Sequence, residues 1–230
     1  MYGYGFRPNN KMFGGGGATP STLWDGLLAY YTADNTPNDD LGVHNGTLVN
    51  GATYGTGIIN QGFSLDGVND YIDLPVGTFS PSGDFSISLW IKPNSTGFQF
   101  PFSRGGFTSN AISCYVITGA LRFIVANNSA YQILQTGLGY ASVGTWYNMV
   151  LTKSATDNLY RFYVNNTLIG SQTITVNPTF INDTMYFGRQ AGGSNYYNGI
   201  LDEVALFNRA LTPTEVAELY NGGSALQFTP

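Results

Sequence analysis

The sequence predicts an all-β protein, a two-sheet antiparallel jelly-roll sandwich with one short C-terminal helix. Two observations carry this. The 230 residues include 30 Gly, 16 Tyr and 15 Phe, with only 10% charged residues, a vocabulary of strands and turns rather than helices. From Trp24 onward, short runs alternating apolar and polar residues are separated by Gly, Asn, Asp and Pro clusters, the pattern of strands at near-regular spacing.

The elements follow in order. Residues 1–22 alternate glycine with aromatics and then run through Gly14–Gly17 to Pro20; they read as an arm and linker. The basic start and apolar core of a secretory signal are missing from them. Tyr2, Tyr4, Phe6 and Phe13 are its candidate anchors to a partner chain. Residues 23–222 form the sandwich and 223–230 a tail. In FSISLWIKP (85–93), Phe85, Ile87, Leu89 and Ile91 alternate with Ser86, Ser88, Trp90 and Lys92, so one face is expected in the core and the other opposite it. Further strands are expected at 113–118, 121–126, 146–153, 160–164, 167–174, 185–188 and 200–207. Asn165-Asn166 suits a two-residue hairpin turn, because Asn tolerates positive φ. Thr212-Pro213-Thr214-Glu215 predicts a helix start with a capping box, Val216, Leu219 and Tyr220 its apolar stripe, and Gly222-Gly223 its end.

Composition also excludes function classes. No stretch approaches the ~18 apolar residues of a membrane-spanning helix. Net charge is −5 and the nine Lys and Arg are scattered, whereas phosphate-backbone binding needs a clustered basic face. Single residues Cys114 and His44 exclude an internal disulfide and a His/Cys zinc cluster.

Six blocks then occur in sequence: GFSLDGVNDYIDLP (62–75), FSISLWIKP (85–93), GTWYNMVLTK (144–153), YRFYVNNTLIGS (160–171), MYFGR (185–189) and NGILDEVALFNRALTPTEVAELYNGG (198–223). Together they resemble the laminin-G-like, concanavalin A-like lectin/glucanase superfamily in its pentraxin-related branch, and LLAYYTADNTPNDDLGVHNGTLVNG (27–51) resembles its opening strand and Asx-rich loop. The resemblance implies a jelly roll, a binding role toward carbohydrate or protein, and often a structural calcium ion. By resemblance Asp34 and Asp202 would be side-chain ligands of Ca2+, with Asp39 or Asp40 a weaker third. The alternative is an Asx-rich turn that satisfies its own backbone amides.

Retaining glycoside hydrolysis needs two carboxylates about 5 Å apart. Of the three glutamates, Glu215 belongs to the capping box and Glu218 to the same helix; Asp202 and Glu203, adjacent on a strand, should point to opposite faces. No catalytic residue is assigned. Two loops carry candidate ligand residues: 94–110, with Phe98 and Phe102, and 190–199, with Tyr196 and Tyr197. Sugar binding, protein contact and an inert surface remain open for both. Three functions are compatible: a virion component, such as a bacteriophage capsid decoration or appendage, displaying a lectin-like domain through its arm; a carbohydrate-binding adhesin or surface module; and a glycan hydrolase. The first places the protein at the virion surface, the second outside the cell or on its surface. Expected partners are other chains of an assembly, a further copy of the chain, and a surface glycan.

Overall fold

A computed structural model describes residues 21–80, 83–106, 109–179 and 184–228. The anchors Tyr2, Tyr4, Phe6 and Phe13 lie outside the described residues. The strands are β1 (Leu27–Tyr31), β2 (Thr47–Val49), β3 (Thr53–Thr56), β4 (Gln61–Asp66), β5 (Tyr71–Leu74), β6 (Phe85–Pro93), β7 (Gln99–Gly106), β8 (Ser109–Ile117), β9 (Ala120–Ala126), β10 (Tyr131–Gln135), β11 (Tyr147–Ser154), β12 (Leu159–Val164), β13 (Thr167–Thr173), β14 (Met185–Phe187) and β15 (Asn198–Phe207), followed by the helix α1 (Pro213–Tyr220). All pairings are antiparallel. One sheet has eight strands, in the order β13-β12-β11-β6-β15-β4-β3 with β1 also on β15; the other has seven, β10-β9-β8-β7-β14-β5-β2. This is the jelly-roll sandwich the sequence predicts.

Local chemistry explains the connections. Asn165 and Asn166 sit at φ 49° and 61°, the left-handed pair that lets two residues reverse the chain between β12 and β13. The Thr212 hydroxyl accepts from the Glu215 N–H while the Glu215 carboxylate accepts from the Thr212 N–H, and Pro213 opens α1. The helix stops at Asn221, which takes the left-handed conformation one residue ahead of Gly222-Gly223.

Phe85, Ile87, Leu89 and Ile91 lie between the sheets with Phe63, Phe102, Phe123, Met149, Phe162 and Leu201. On the other face of β6, Ser86, Ser88 and Trp90 are also buried. The predicted facing is right, and a second layer covers the outer side. α1 lays Val216 and Leu219 on Tyr30, Val150, Tyr163, Ala205 and Phe207, each apolar side chain stabilising by about 1.5–3 kcal/mol when fully covered. Tyr220 stacks on Trp90 at 5.7 Å between ring centroids. Ser86 donates to the Arg209 carbonyl at 2.9 Å and accepts from the Leu211 N–H at 2.8 Å.

The tail returns to this same layer: Phe228 meets Trp24 at 5.3 Å and Tyr30 at 5.8 Å. Arg209 fastens the layer's edge. Its guanidinium donates to the carbonyls of Asp25, Thr22 and Leu23 at 2.5, 2.8 and 2.8 Å and to both Glu215 oxygens at 2.9 and 2.7 Å. No helix among the described residues is long and apolar enough to cross a membrane.

Candidate functional site

The acidic residues gather at a junction in the eight-stranded sheet. β4 pairs with β15 at Asn198–Leu201 and β1 pairs with it at Val204–Phe207. The gap between them falls on Asp202 and Glu203, where the β6 register also shifts and Glu203 takes φ 48°. This is a bulge, and it corrects the expectation of opposite faces. Asp202 lies across from Trp90, and Glu203 accepts from the hydroxyl of Tyr30, both residues of the helix-covered side. The Asp202 carboxylate replaces the missing ladder: it accepts from the N–H of Ile58 at 2.8 Å, Ile59 at 3.3 Å and Glu203 at 2.9 Å. Gly57 lets the turn close over it, since a Cβ there would fall 2.5 Å from the Asp202 Oδ2. Burial pushes both carboxyls up to about 8.

Asp39 staples the neighbouring loop, accepting from the N–H groups of Tyr30, Leu41, Val43 and His44 at 2.9–3.2 Å. Asp34 accepts from the Gln61 N–H and from the Asn60 and Gln227 side chains. Burial, then the charges of Asp39 and Asp34, raise Asp40 to about 6. Among the described residues no three His, Cys, Asp or Glu side chains converge as a metal cage. The corner nevertheless collects hard oxygen donors, the type calcium selects. Asp39 already accepts four backbone N–H groups; Asp34, close enough to Asp40 and Asp202 for its charge to raise both, is the side chain there that could take an ion, with carbonyls and water supplying the other ligands.

The four candidate ligand residues divide evenly. Phe102 and Tyr197 are fully enclosed in the core, and the Tyr197 hydroxyl donates to the Ile200 carbonyl at 3.3 Å; neither offers a face to a ligand. Phe98 and Tyr196 are accessible. The 94–110 segment is largely strand. Register shifts between Gln99 and Phe102, around Pro101, turn Phe100 outward into a cluster with Tyr115 and Ile124 while Phe102 faces inward.

Phe98 borders a groove of about 280 Å³ on the outer face of the seven-stranded sheet, with Tyr115, Ile117, Arg122, Ile124, Tyr131 and Ile133. Phe98 is 40% and Tyr131 59% exposed. The Arg122 guanidinium lies 5.7 Å from the Tyr115 ring. Tyr196 belongs to a second group on that outer face. Met185 and Phe187 enter the core, so Tyr186 between them faces out, meeting Tyr71 edge-on at 5.5 Å. Arg189 stands over the rings of Tyr71, Tyr186 and Tyr196. A larger groove of about 390 Å³ lies beside the start of α1, but its arginines are paired, Arg161 with Asp157 and Arg209 with Glu215.

Tyr115, Arg122 and Tyr131, and Tyr71, Tyr186 and Arg189 beside the predicted Tyr196, were absent from the sequence-based candidates. Strict alternation in MYF, which sets Tyr186 against Met185 and Phe187, is the signal that could have found part of them.

A sequence profile for the concanavalin A-like lectin/glucanases superfamily matches residues 66–217, more than half of the chain. The chain belongs to that superfamily. No curated protein sequence matches it. Solved structures of the same fold include domain 4 of AbnA, a GH43 extracellular arabinanase from Geobacillus stearothermophilus, in complex with arabinotriose. It has TM-score 0.69 and 22% identity over 83% of this chain and 96% of that one. The binding domain of Paraclostridial Mosquitocidal Protein 1 has TM-score 0.74 and 20% identity over 88% and 53%. The botulinum neurotoxin serotype D ligand binding domain in complex with N-acetylneuraminic acid has TM-score 0.69 and 19% identity over 86% and 51%. The chain spans about half the length of these toxin domains. At such identities the likeness is one of fold.

Proposed function

We propose that this lectin-superfamily domain is a non-catalytic glycan-binding module, using the outer face of its seven-stranded sheet. The observation that carries the reading is the groove bordered by Phe98 and Tyr131, two exposed aromatic rings beside a guanidinium. Aromatic faces cover the C–H face of a sugar, while polar groups at the rim fix its hydroxyls. Sugars held by the similar arabinanase and neurotoxin domains support the same reading. Catalysis is disfavoured by the placement of the acids: Asp202 and Glu203 are sealed under Tyr30 and the loop at Ile58, and neither groove borders them.

The test is a glycan array with the full chain, followed by titration of the hits against Phe98→Ala and Tyr131→Ala. Binding that falls at least about tenfold in both variants supports the groove, since stacked aromatic rings contribute about 0.5–1.5 kcal/mol beyond the area they bury. Release of reducing sugar from polysaccharides would overturn the non-catalytic reading.

In its finer form the reading places the module on a virion surface, tethered to other chains by residues 1–20. The aromatic-glycine composition of that segment supports it. We also propose a structural calcium ion at the acid corner. The supporting observation is that Asp40, Asp202 and Glu203 are all raised by burial, with no Lys or Arg among their hydrogen-bond or ion-pair partners in the described residues. A thermal midpoint that EDTA leaves unchanged would refute it.

A further inference from the structure

We propose that Arg189, framed by Tyr71, Tyr186 and Tyr196, is a subsite for a carboxylate-bearing sugar residue. The inference rests on the glycan-binding reading and names the ligand chemistry of a second position on the same sheet face.

The guanidinium carbon lies 4.9, 5.1 and 5.9 Å from the centroids of Tyr71, Tyr186 and Tyr196. Ring faces attract a cation through their quadrupole, but they accept none of the in-plane N–H hydrogen bonds. Arg161 and Arg209 each have a carboxylate partner. Arg189 has none among the described residues, and its Nε is enclosed with no acceptor. Because Nε is closed off, as it is in Arg122 too, an incoming carboxylate pairs with the terminal amino edge of the guanidinium, whose fork matches its two oxygens.

The group is held in place before any ligand arrives. Ser103 donates to the Arg189 carbonyl at 2.6 Å, Arg189 bridges to Tyr196 in an antiparallel pair, and Gln190 N–H donates to the Asn195 carbonyl at 2.9 Å. None of the hydroxyls of Tyr71, Tyr186 and Tyr196 has a hydrogen-bond partner among the described residues, which leaves them for sugar hydroxyls. With a net charge of −5, the chain as a whole repels anions. Selectivity for an acidic sugar therefore has to come from a local guanidinium, and that of Arg189 is the one framed by three rings.

Calorimetric titration of the full chain in about 0.15 M salt tests the inference with two matched pairs: tetragalacturonate against its methyl ester, and 6′-sialyllactose against lactose. We expect one acid to bind at least about tenfold more tightly than its neutral counterpart, the ratio for a single charge-assisted pairing, and the responding pair separates a uronate from a sialate. Arg189→Gln should abolish the preference, and Tyr186→Phe should weaken it. Equal binding of acid and neutral forms overturns the inference while the glycan reading stands. So does a preference that survives Arg189→Gln. Binding of neither pair overturns it as well, and the array then decides the broader reading separately. If Arg189→Gln does not fold, the acid-to-ester ratio of the unaltered protein still decides.

Discussion

Arg209 ties the segment before β1 to the start of α1, two parts of the chain that are distant in sequence. Its guanidinium reaches three carbonyls between Thr22 and Asp25 and both oxygens of Glu215. Burial alone would raise Glu215, but the hydrogen bonds from Arg209 and Thr212 hold it below its ordinary range. Arg209→Ala should cost about 2–4 kcal/mol in denaturant unfolding, because it strands a carboxylate and several carbonyls. Arg209→Lys should recover little of this, since an ammonium lacks the fork. Glu203 makes a pH-dependent prediction. Its carboxyl rises from 4.5, and that of Asp202 from 3.8, to about 8 in the folded chain, so between those limits the folded state binds more protons than the unfolded one. Stability must then fall as pH rises from about 4 to 8, by up to about 1.4 kcal/mol per pH unit per group. In EDTA, Glu203→Gln should flatten that decline; a parallel curve would show that Glu203 is not the source. Calcium, which favours the charged carboxylates, should flatten it in the unaltered protein too. These roles were only half legible in the sequence. Asp39 and Asp202 stood out as acids, but a carboxylate serving backbone amides cannot be told from a metal ligand by residue type. Phe102 and Tyr197 were misjudged for a related reason: a Gly-rich stretch looks exposed even when its aromatic residues point inward.

At the scale of elements, the regular parts were readable and the irregular ones were not. β6 and the start of α1 follow from alternation and from a capping box, both local signals. Thr212→Ala should therefore cost about 1 kcal/mol, measured as a lower unfolding midpoint with the groove still competent for sugar. β7 was read as a loop because Pro101 and the shift beside it break the period of two. Burial of the outer face of β6 depends on α1 and the tail folding back from about 120 residues away, which no window around residue 90 reports. The same masking applies to the outward face of the seven-stranded sheet. Tyr115, Tyr131 and Tyr186 come from three different strands and Phe98 from the turn that leads into β7, and only sheet order sets them on one surface.

At the scale of the whole molecule, the two outer surfaces differ. One is roofed by α1 and the tail; the other carries the groove and the Arg189 group. The described chain begins on the roofed side, where the Ser21 hydroxyl donates to Glu218 at 2.7 Å. Removing residues 1–20 should leave folding and glycan affinity within error of the full chain, since Thr22 and Leu23 are already fastened, but should prevent incorporation into the parent assembly. A truncated chain that incorporates normally would refute the tether. The placement of Arg209 also has a mechanical consequence. If the chain is tethered ahead of residue 21 and holds a sugar on the far surface, as proposed, tension would run through both sheets, and β1 could not peel from β15 until the Arg209 hydrogen bonds to Thr22, Leu23 and Asp25 had let go. The load meets this side-chain clasp before it reaches the strand ladder, as strain relief protects the joint of a cable.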